Sequence, residues 1–195
     1  MAFFTGSLFC LVCLVATTIA ATTTPVTPPY YVITNAETPS LNRPGLTPVG
    51  QQRANACIPQ IFSQLNIGLI LSCSVDKEGK DGLLCPNAVL TATPLAKALG
   101  LNITLCATGE GSKDECVPDK LQAFFKTSTK SALIVWDSSE VDDLLEDANV
   151  KDAGMDIDDT VETPDVILTV PGLGVRVRPI ATSMNCTGID GPGPA

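Results

Sequence analysis

The sequence predicts an α+β protein: a small disulfide-stapled domain with a helical first half and a β-hairpin near its C-terminus, preceded by a Thr/Pro-rich arm. Three observations carry that expectation. Ile58, Ile61, Phe62, Leu65 and Leu69 recur at three- and four-residue steps, as apolar residues do again within 87–99 and 118–125, which is the period of a helix with one buried face. Val166, Leu168 and Val170 alternate with other residues, Pro171-Gly172-Leu173-Gly174 turns, and Val175 and Val177 alternate with Arg176 and Arg178. Two alternating runs around a four-residue turn are a hairpin pattern. Cysteines bracket the three helical stretches, as bridges tying them together require.

Taken in order, residues 1–20 read as a signal peptide. Leu8 to Ala16 is an unbroken apolar run, and Thr18-Ile19-Ala20 offers small residues at a cleavage site; the run is far short of the roughly 20 residues that span a bilayer. Secretion to the extracellular space follows, with no membrane span. Residues 21–56 form the arm: Thr22 to Pro29 holds three prolines, and Pro39, Pro44 and Pro48 continue the pattern. Proline removes backbone donors and resists helix. Tyr30-Tyr31-Val32-Ile33 is a short β-prone patch within the arm, suited to docking on the folded domain. That domain is placed at 57–187. Pro94 is expected to break or kink the helix at 87–99, Ser131 to Trp136 (SALIVW) reads as a buried strand, and Val141, Leu144, Leu145 and Ala148 form a narrow apolar helical face. Residues 188–195 are a flexible Gly/Pro tail.

Removal of the signal peptide takes Cys10 and Cys13 with it. Cys57, Cys73, Cys85, Cys106, Cys116 and Cys186 remain, an even set that reads as three disulfides in an oxidising compartment, with fifteen connectivities open. No two of them stand two to four residues apart, the spacing a zinc site needs. Asn102-Ile103-Thr104 and Asn185-Cys186-Thr187 are N-glycosylation sequons.

The formal charge of −9 is unevenly placed. Residues 137–165 carry 12 of the 21 acidic side chains against one base, Lys151. The rest of the chain is nearly neutral and has no basic patch, which excludes nucleic acid as a partner. Asp142, Asp143, Glu146, Asp147, Asp156, Asp158 and Asp159 are candidates for weak calcium binding, although their spacing does not match an EF-hand loop; no other metal and no cofactor is expected.

The chain contains no histidine, which removes every imidazole-dependent acid, base and triad mechanism. Neither Asp137-Ser138-Ser139 nor Asp159-Thr160-Val161 has the glycine of an aspartic-protease motif. With one Trp and two Tyr, the chain also lacks the aromatic lining usual at sugar sites. The expectation is therefore a protein that is not an enzyme: a secreted, non-catalytic structural or interaction glycoprotein. It would be an acidic extracellular matrix component that meets another protein, a glycan or a mineral surface. The alternative is a carrier of a small apolar ligand such as a lipid or sterol, held among Phe62, Leu65, Leu69, Leu95, Phe124 and Phe125.

Overall fold

The computed structural model describes residues 27–41, 43–75, 82–108, 115–148, 150, 163–173 and 178–190. The expected signal peptide with Cys10 and Cys13, residues 76–81, the calcium candidates Asp156, Asp158 and Asp159, and residues 174–177 and 191–195 lie outside the described residues.

Ser131–Trp136 (β4) is apolar after its first residue, and all six of its residues are buried. A strand buried on both faces belongs at the centre of a covered, mostly parallel sheet. On one side β4 pairs in parallel with Ile67–Ser74 (β2), and β2 pairs in parallel with Ile103–Ala107 (β3). On its other side β4 pairs in parallel with Tyr30–Thr34 (β1), opposing Val32 to Ile134 and Thr34 to Trp136. Val166–Val170 (β5) and Ile180–Ser183 (β6) extend the sheet antiparallel, giving the order β3-β2-β4-β1-β5-β6.

Helices fill the crossovers. Pro48–Gln52 (α1), a π-helical turn at Arg53–Cys57 and Ile58–Phe62 (α2) run on from one another between β1 and β2. The side chain of Thr47 caps the start, its Oγ1 accepting from the Gly50 amide at 3.1 Å, and Pro48 follows at the first helical position, where no N–H is needed. Gly50 permits a close approach, because a Cβ there would run into the backbone of Glu37. Cys85–Leu99 (α3) joins β2 to β3 and ends at Gly100, whose φ of 65° is left-handed. Cys116–Phe125 (α4) joins β3 to β4, and Val141–Asp147 (α5) follows β4. Right-handed crossovers put α1, α2 and α3 on one face and α4 on the other, because the connection from β3 to β4 runs back across the sheet.

The core is continuous: Val32, Ile33, Ile70, Leu71, Leu133, Ile134 and Leu168 from the sheet meet Ile58, Phe62, Leu95 and Leu121 from the helices. Three disulfides staple it. Cys73–Cys85 and Cys106–Cys116 each tie the carboxyl end of a strand to the start of the next helix, and Cys57–Cys186 spans 129 residues.

Several sequence expectations are corrected here. A mixed α+β protein is what folds, but its sheet is six strands rather than a terminal hairpin, and helices α4 and α5 lie beyond the first half. Within the expected arm 21–56, residues 30–34 are a central strand and residues 48–56 are helical. Pairing to both β4 and β5 outweighs the flanking prolines. The helix expected from Ile58 to Leu69 stops at Phe62, because residues 63–66 turn and Asn66 adopts φ 52°, after which the chain is β2. Among the described residues β5 pairs with 180–183, while Val175 and Val177 of the expected hairpin lie outside the described residues. Pro94 does not end α3, since the buried stripe Ala88, Ala92, Leu95 and Ala96 holds the helix to the sheet on either side of it.

Candidate active site at the carboxyl edge of the sheet

The chain leaves β1 toward α1 and leaves β4 toward α5, which packs beside the start of α4. In open α/β sheets, the crevice at the carboxyl ends of strands whose connections diverge is where ligands bind. Here that edge carries Thr34, Asn35 and Ala36 after β1, and Asp137, Ser138 and Ser139 after β4.

Asp137 is completely buried and is the only buried carboxylate among the described residues. Its Oδ2 accepts from the Leu84 amide at 2.7 Å, and its Oδ1 accepts from the Ser139 amide at 2.9 Å and the Ser139 hydroxyl at 2.8 Å. Leu84 is the residue before α3 and has no capping side chain of its own. Asp137 therefore supplies a negative charge to the positive end of a 15-residue helix from across the sheet edge.

The neighbouring residues form a network anchored on β1. The Ser138 amide donates to Asn35 Oδ1 at 3.0 Å, and the Asn35 amide donates to the Trp136 carbonyl at 2.9 Å. The Ala36 amide donates to Thr91 Oγ1 at 2.9 Å, whose hydroxyl donates to the Asn87 carbonyl, and the Gly45 amide donates to Asn87 Oδ1 at 2.7 Å. One group stands apart. The hydroxyl of Thr34, 1% exposed, is the only fully enclosed side-chain polar atom among the described residues without a partner. An unsatisfied buried hydroxyl costs on the order of 1–3 kcal/mol, and it stands on β1 opposite Trp136, the residue before Asp137.

A second polar cluster borders this edge. Arg53, in the π-helical turn, is 3% exposed and lies between two carboxylates. Its Nη2 is 2.6 Å from Glu37 Oε1 and 2.6 Å from Asp190 Oδ1, its Nε faces both Glu37 oxygens at 3.1 Å, and its Nη1 donates to Asp190 Oδ2 at 3.2 Å. Burial works against the Arg53 charge, but the hydrogen bonds to Glu37 and Asp190 outweigh it and push the guanidinium pKa up. In return, Arg53 holds the Asp190 carboxyl below its usual range.

A hollow of about 30 Å³ lies between the ends of β3 and β4 and helix α5, lined by Thr108, Trp136, Glu140, Asp143 and Asp147 among others. Burial, then repulsion from Asp143 and Glu146, raises the Asp147 carboxyl pKa. Of the calcium candidates, Asp142, Asp143, Glu146 and Asp147 thus share α5, with Asp143 and Asp147 turned to this hollow, and no group of three or more metal-ligating side chains stands together among the described residues. A wider hollow of about 510 Å³ between the π-helical turn and α3 contains one ionisable side chain, Lys97.

Asn102 is exposed just before β3, at the opposite, amino edge of the sheet, and Asn185 is exposed with φ 50° beside the Cys57–Cys186 bridge. Thr34, Asn35, Asn87, Thr91, Glu37, Arg53 and Asp190 were not marked by the sequence. Asp137 carries a signal in the sequence, an acid directly after the apolar run 132–136, that is independent of any protease motif.

No family model matches the chain, and no curated protein matches it. Solved structures do. The chain is similar in fold to a protein from Agrobacterium tumefaciens provisionally designated phosphohistidine phosphatase SixA. The TM-score is 0.52 at 15% identity, over 80% of this chain and 98% of that one. A counterpart with the same designation from Nakamurella multipartitia aligns over 80% of this chain and 97% of its own, at 12% identity and a TM-score of 0.43. Identity this low establishes the fold and leaves the chemistry to the residues.

The functional expectations are corrected accordingly. A matrix component or an apolar carrier was expected; the fold is instead one shared with a protein provisionally designated a phosphatase, so the non-enzymatic reading and the extracellular-matrix description are withdrawn. The supposed carrier cavity is packed core: Phe62 and Leu95 are fully buried, with Leu65, Leu69, Phe124 and Phe125 packed against the same cluster.

Proposed function

We propose that this chain is a secreted hydrolase of phosphorylated substrates, working at the carboxyl edge of β1 and β4 with Asp137 as its ionisable group. Two observations carry this reading: the buried Asp137 carboxylate, one residue beyond β4, and the unpartnered Thr34 hydroxyl at the end of the adjacent β1, both at the edge where such a sheet binds ligands. The likeness in fold to a protein provisionally designated a phosphatase supports the phosphoryl group as the object of the chemistry.

The chain has no imidazole, so no histidine can carry the phosphoryl group. Asp137 takes the role of general base instead. It removes a proton from an attacking water, whose oxygen bonds to phosphorus as the bond to the leaving oxygen breaks. The proton passes on to that oxygen, leaving inorganic phosphate and the dephosphorylated product. In this reading the Thr34 hydroxyl, enclosed and without a partner here, hydrogen-bonds the substrate once the edge opens. Asp137 is fully covered, so substrate reaches it when the turn at 138–140 moves.

Electrostatics narrow the substrate. Glu140, Asp143 and Asp147 flank the same edge, and the only buried cation among the described residues, Arg53, is already paired. A phosphoryl group carried on a basic molecule, such as a phosphopeptide with Lys or Arg beside the phosphorylated residue, meets complementary charge there. The test is phosphate release from a basic and an acidic phosphopeptide of equal length. We expect release from the basic peptide, declining with salt and lost in Asp137→Asn; equal rates for D137N and the unaltered chain would overturn the reading.

A further inference from the structure

The Asp190 carboxylate occupies the guanidinium of Arg53 as an external oxyanion would. Two oxygens face two nitrogens, Oδ1 to Nη2 at 2.6 Å and Oδ2 to Nη1 at 3.2 Å, the two-pronged arrangement in which arginine also recognises phosphate. Glu37 holds the opposite side of the guanidinium through Nε and Nη2, so Arg53 stays fixed whatever sits on the Asp190 side. Glu37 is the residue after Ala36, which places this arginine at the rim of the crevice described above.

Asp190 is seated by the chain around it. Its Oδ2 accepts from the Cys186 amide at 2.6 Å, Arg53 Nη1 lies 3.2 Å from Cys186 Sγ, and Cys186 is bonded to Cys57, the last residue of the π-helical turn that carries Arg53. The turn formed by 187–189 is backed by a hollow of about 210 Å³ against Gln52, Gln60, Ile61 and Gln64, and of its side chains Ile189 packs against the core, so its displacement gives up that one partly buried apolar contact.

We propose that Arg53 is a phosphate-binding arginine occupied by an internal anion, Asp190, which the Cys57–Cys186 disulfide keeps in place. This rests on the phosphorylated-substrate reading and supplies the cation that the edge otherwise lacks. Release is a redox step: a dithiol reductant delivers two electrons and two protons, the S–S bond becomes two thiols, and the dithiol closes to its own disulfide. The turn carrying Asp190 is then held to the helix by hydrogen bonds alone, and a phosphate dianion competes for the guanidinium with twice the charge of a carboxylate.

The experiment is calorimetric titration of the full chain with inorganic phosphate at low ionic strength, against sodium chloride of equal ionic strength. Asp190→Asn, which keeps the shape of the side chain and removes its charge, should bind phosphate at least ten-fold more tightly than the unaltered chain. The double substitution Cys57→Ser with Cys186→Ser should move affinity in the same direction, and it reads the same exchange should D190N fail to fold. Adding Arg53→Gln to D190N should abolish the gain while far-ultraviolet circular dichroism shows the fold retained. Phosphate binding that is unchanged in both D190N and the double-serine variant, or that survives loss of Arg53, would overturn the proposal. Binding and turnover are read separately. A gain in phosphate affinity without phosphate release leaves this inference standing and sinks the hydrolase reading; release without any gain does the reverse.

Discussion

Arg53 Nη2 lies 2.6 Å from Asp190 Oδ1, although the two residues stand 137 positions apart in the chain. The contact fastens the end of the described fold to its first crossover, and Glu37, on the other side of the same guanidinium, extends the link to the residues just after β1.

Arg53→Gln should therefore be among the most damaging single substitutions outside the apolar core. It leaves two largely covered carboxylates facing each other without their cation, which costs about 3 kcal/mol. At roughly 2–4 °C per kcal/mol for a chain of this length, the melting temperature should fall by about 6–12 °C. Glu37→Gln with Arg53→Gln, which removes one of the stranded charges, should recover part of that loss. A loss from R53Q below about 1 kcal/mol in denaturant titration would show that the cluster adds little to stability.

Asp137→Asn tests a structural role as well as the catalytic one. The substitution removes the negative charge at the start of α3 and turns one of the two acceptor oxygens that serve Leu84 and Ser139 into a donor. The loss should be roughly 1–3 kcal/mol, with hydrogen exchange faster at the first turn of α3 and unchanged at its last turn.

The pH dependence has two components of opposite sign. The raised Asp147 carboxyl pKa means that the folded chain binds that proton more tightly than the unfolded chain. Stability from this group rises as pH falls through its folded pKa toward its ordinary value of 3.8. The Asp190 pKa is depressed, so its contribution is complete above its ordinary value of 3.8 and is lost as pH falls through the lowered one. Unfolding midpoints should improve slightly as pH falls from neutral toward 3.8 and drop as it falls further below 3.8. Asp147→Asn should remove the improvement, and Asp190→Asn should soften the drop.

The three bridges should differ in weight. Loop-closure entropy assigns about 5 kcal/mol to Cys57–Cys186, which closes 129 residues, and about 3 kcal/mol to Cys106–Cys116, which closes 10. Replacing each pair by serine and measuring denaturant midpoints checks the order. A larger loss from the Cys106–Cys116 pair would show that native strain or local contacts, not chain entropy, set the difference.

What the sequence made legible was local. β4 was readable because SALIVW is short and apolar after its first residue, and α4 because Pro118 and the stripe Leu121, Phe124 and Phe125 keep one period to the end of the element. β1 was hidden because its character comes from two partners distant in sequence, while the prolines around it are immediate. β2 was absorbed into a false helix because the helical spacing of Ile58 to Leu65 happens to reach Leu69 across a turn whose only mark is Asn66. The candidate site was harder still. Thr34, Asn35, Asn87 and Thr91 are ordinary polar residues until the strand order brings them to one edge, and the Arg53 cluster draws on three regions that no periodicity connects. Only Asp137, a charge set directly after a buried strand, could have been singled out in advance.

The placement of β1 also governs the order in which the chain can be built. It emerges first among the strands, yet its partners are Ala132 to Trp136 on one side and Leu168 to Val170 on the other. During synthesis β1 therefore has no described partner strand to join until β4 has left the ribosome, and closure over such separations is slow. The two short bridges fall within that interval. Cys73–Cys85 and Cys106–Cys116 each lie inside a single strand-helix unit, so both can form before β4 exists, whereas Cys57–Cys186 can close only when the last strands are in place. Oxidation thereby divides assembly into an early local stage and a final one, and a nascent chain halted between them would present β1 as an unpaired strand with both edges open.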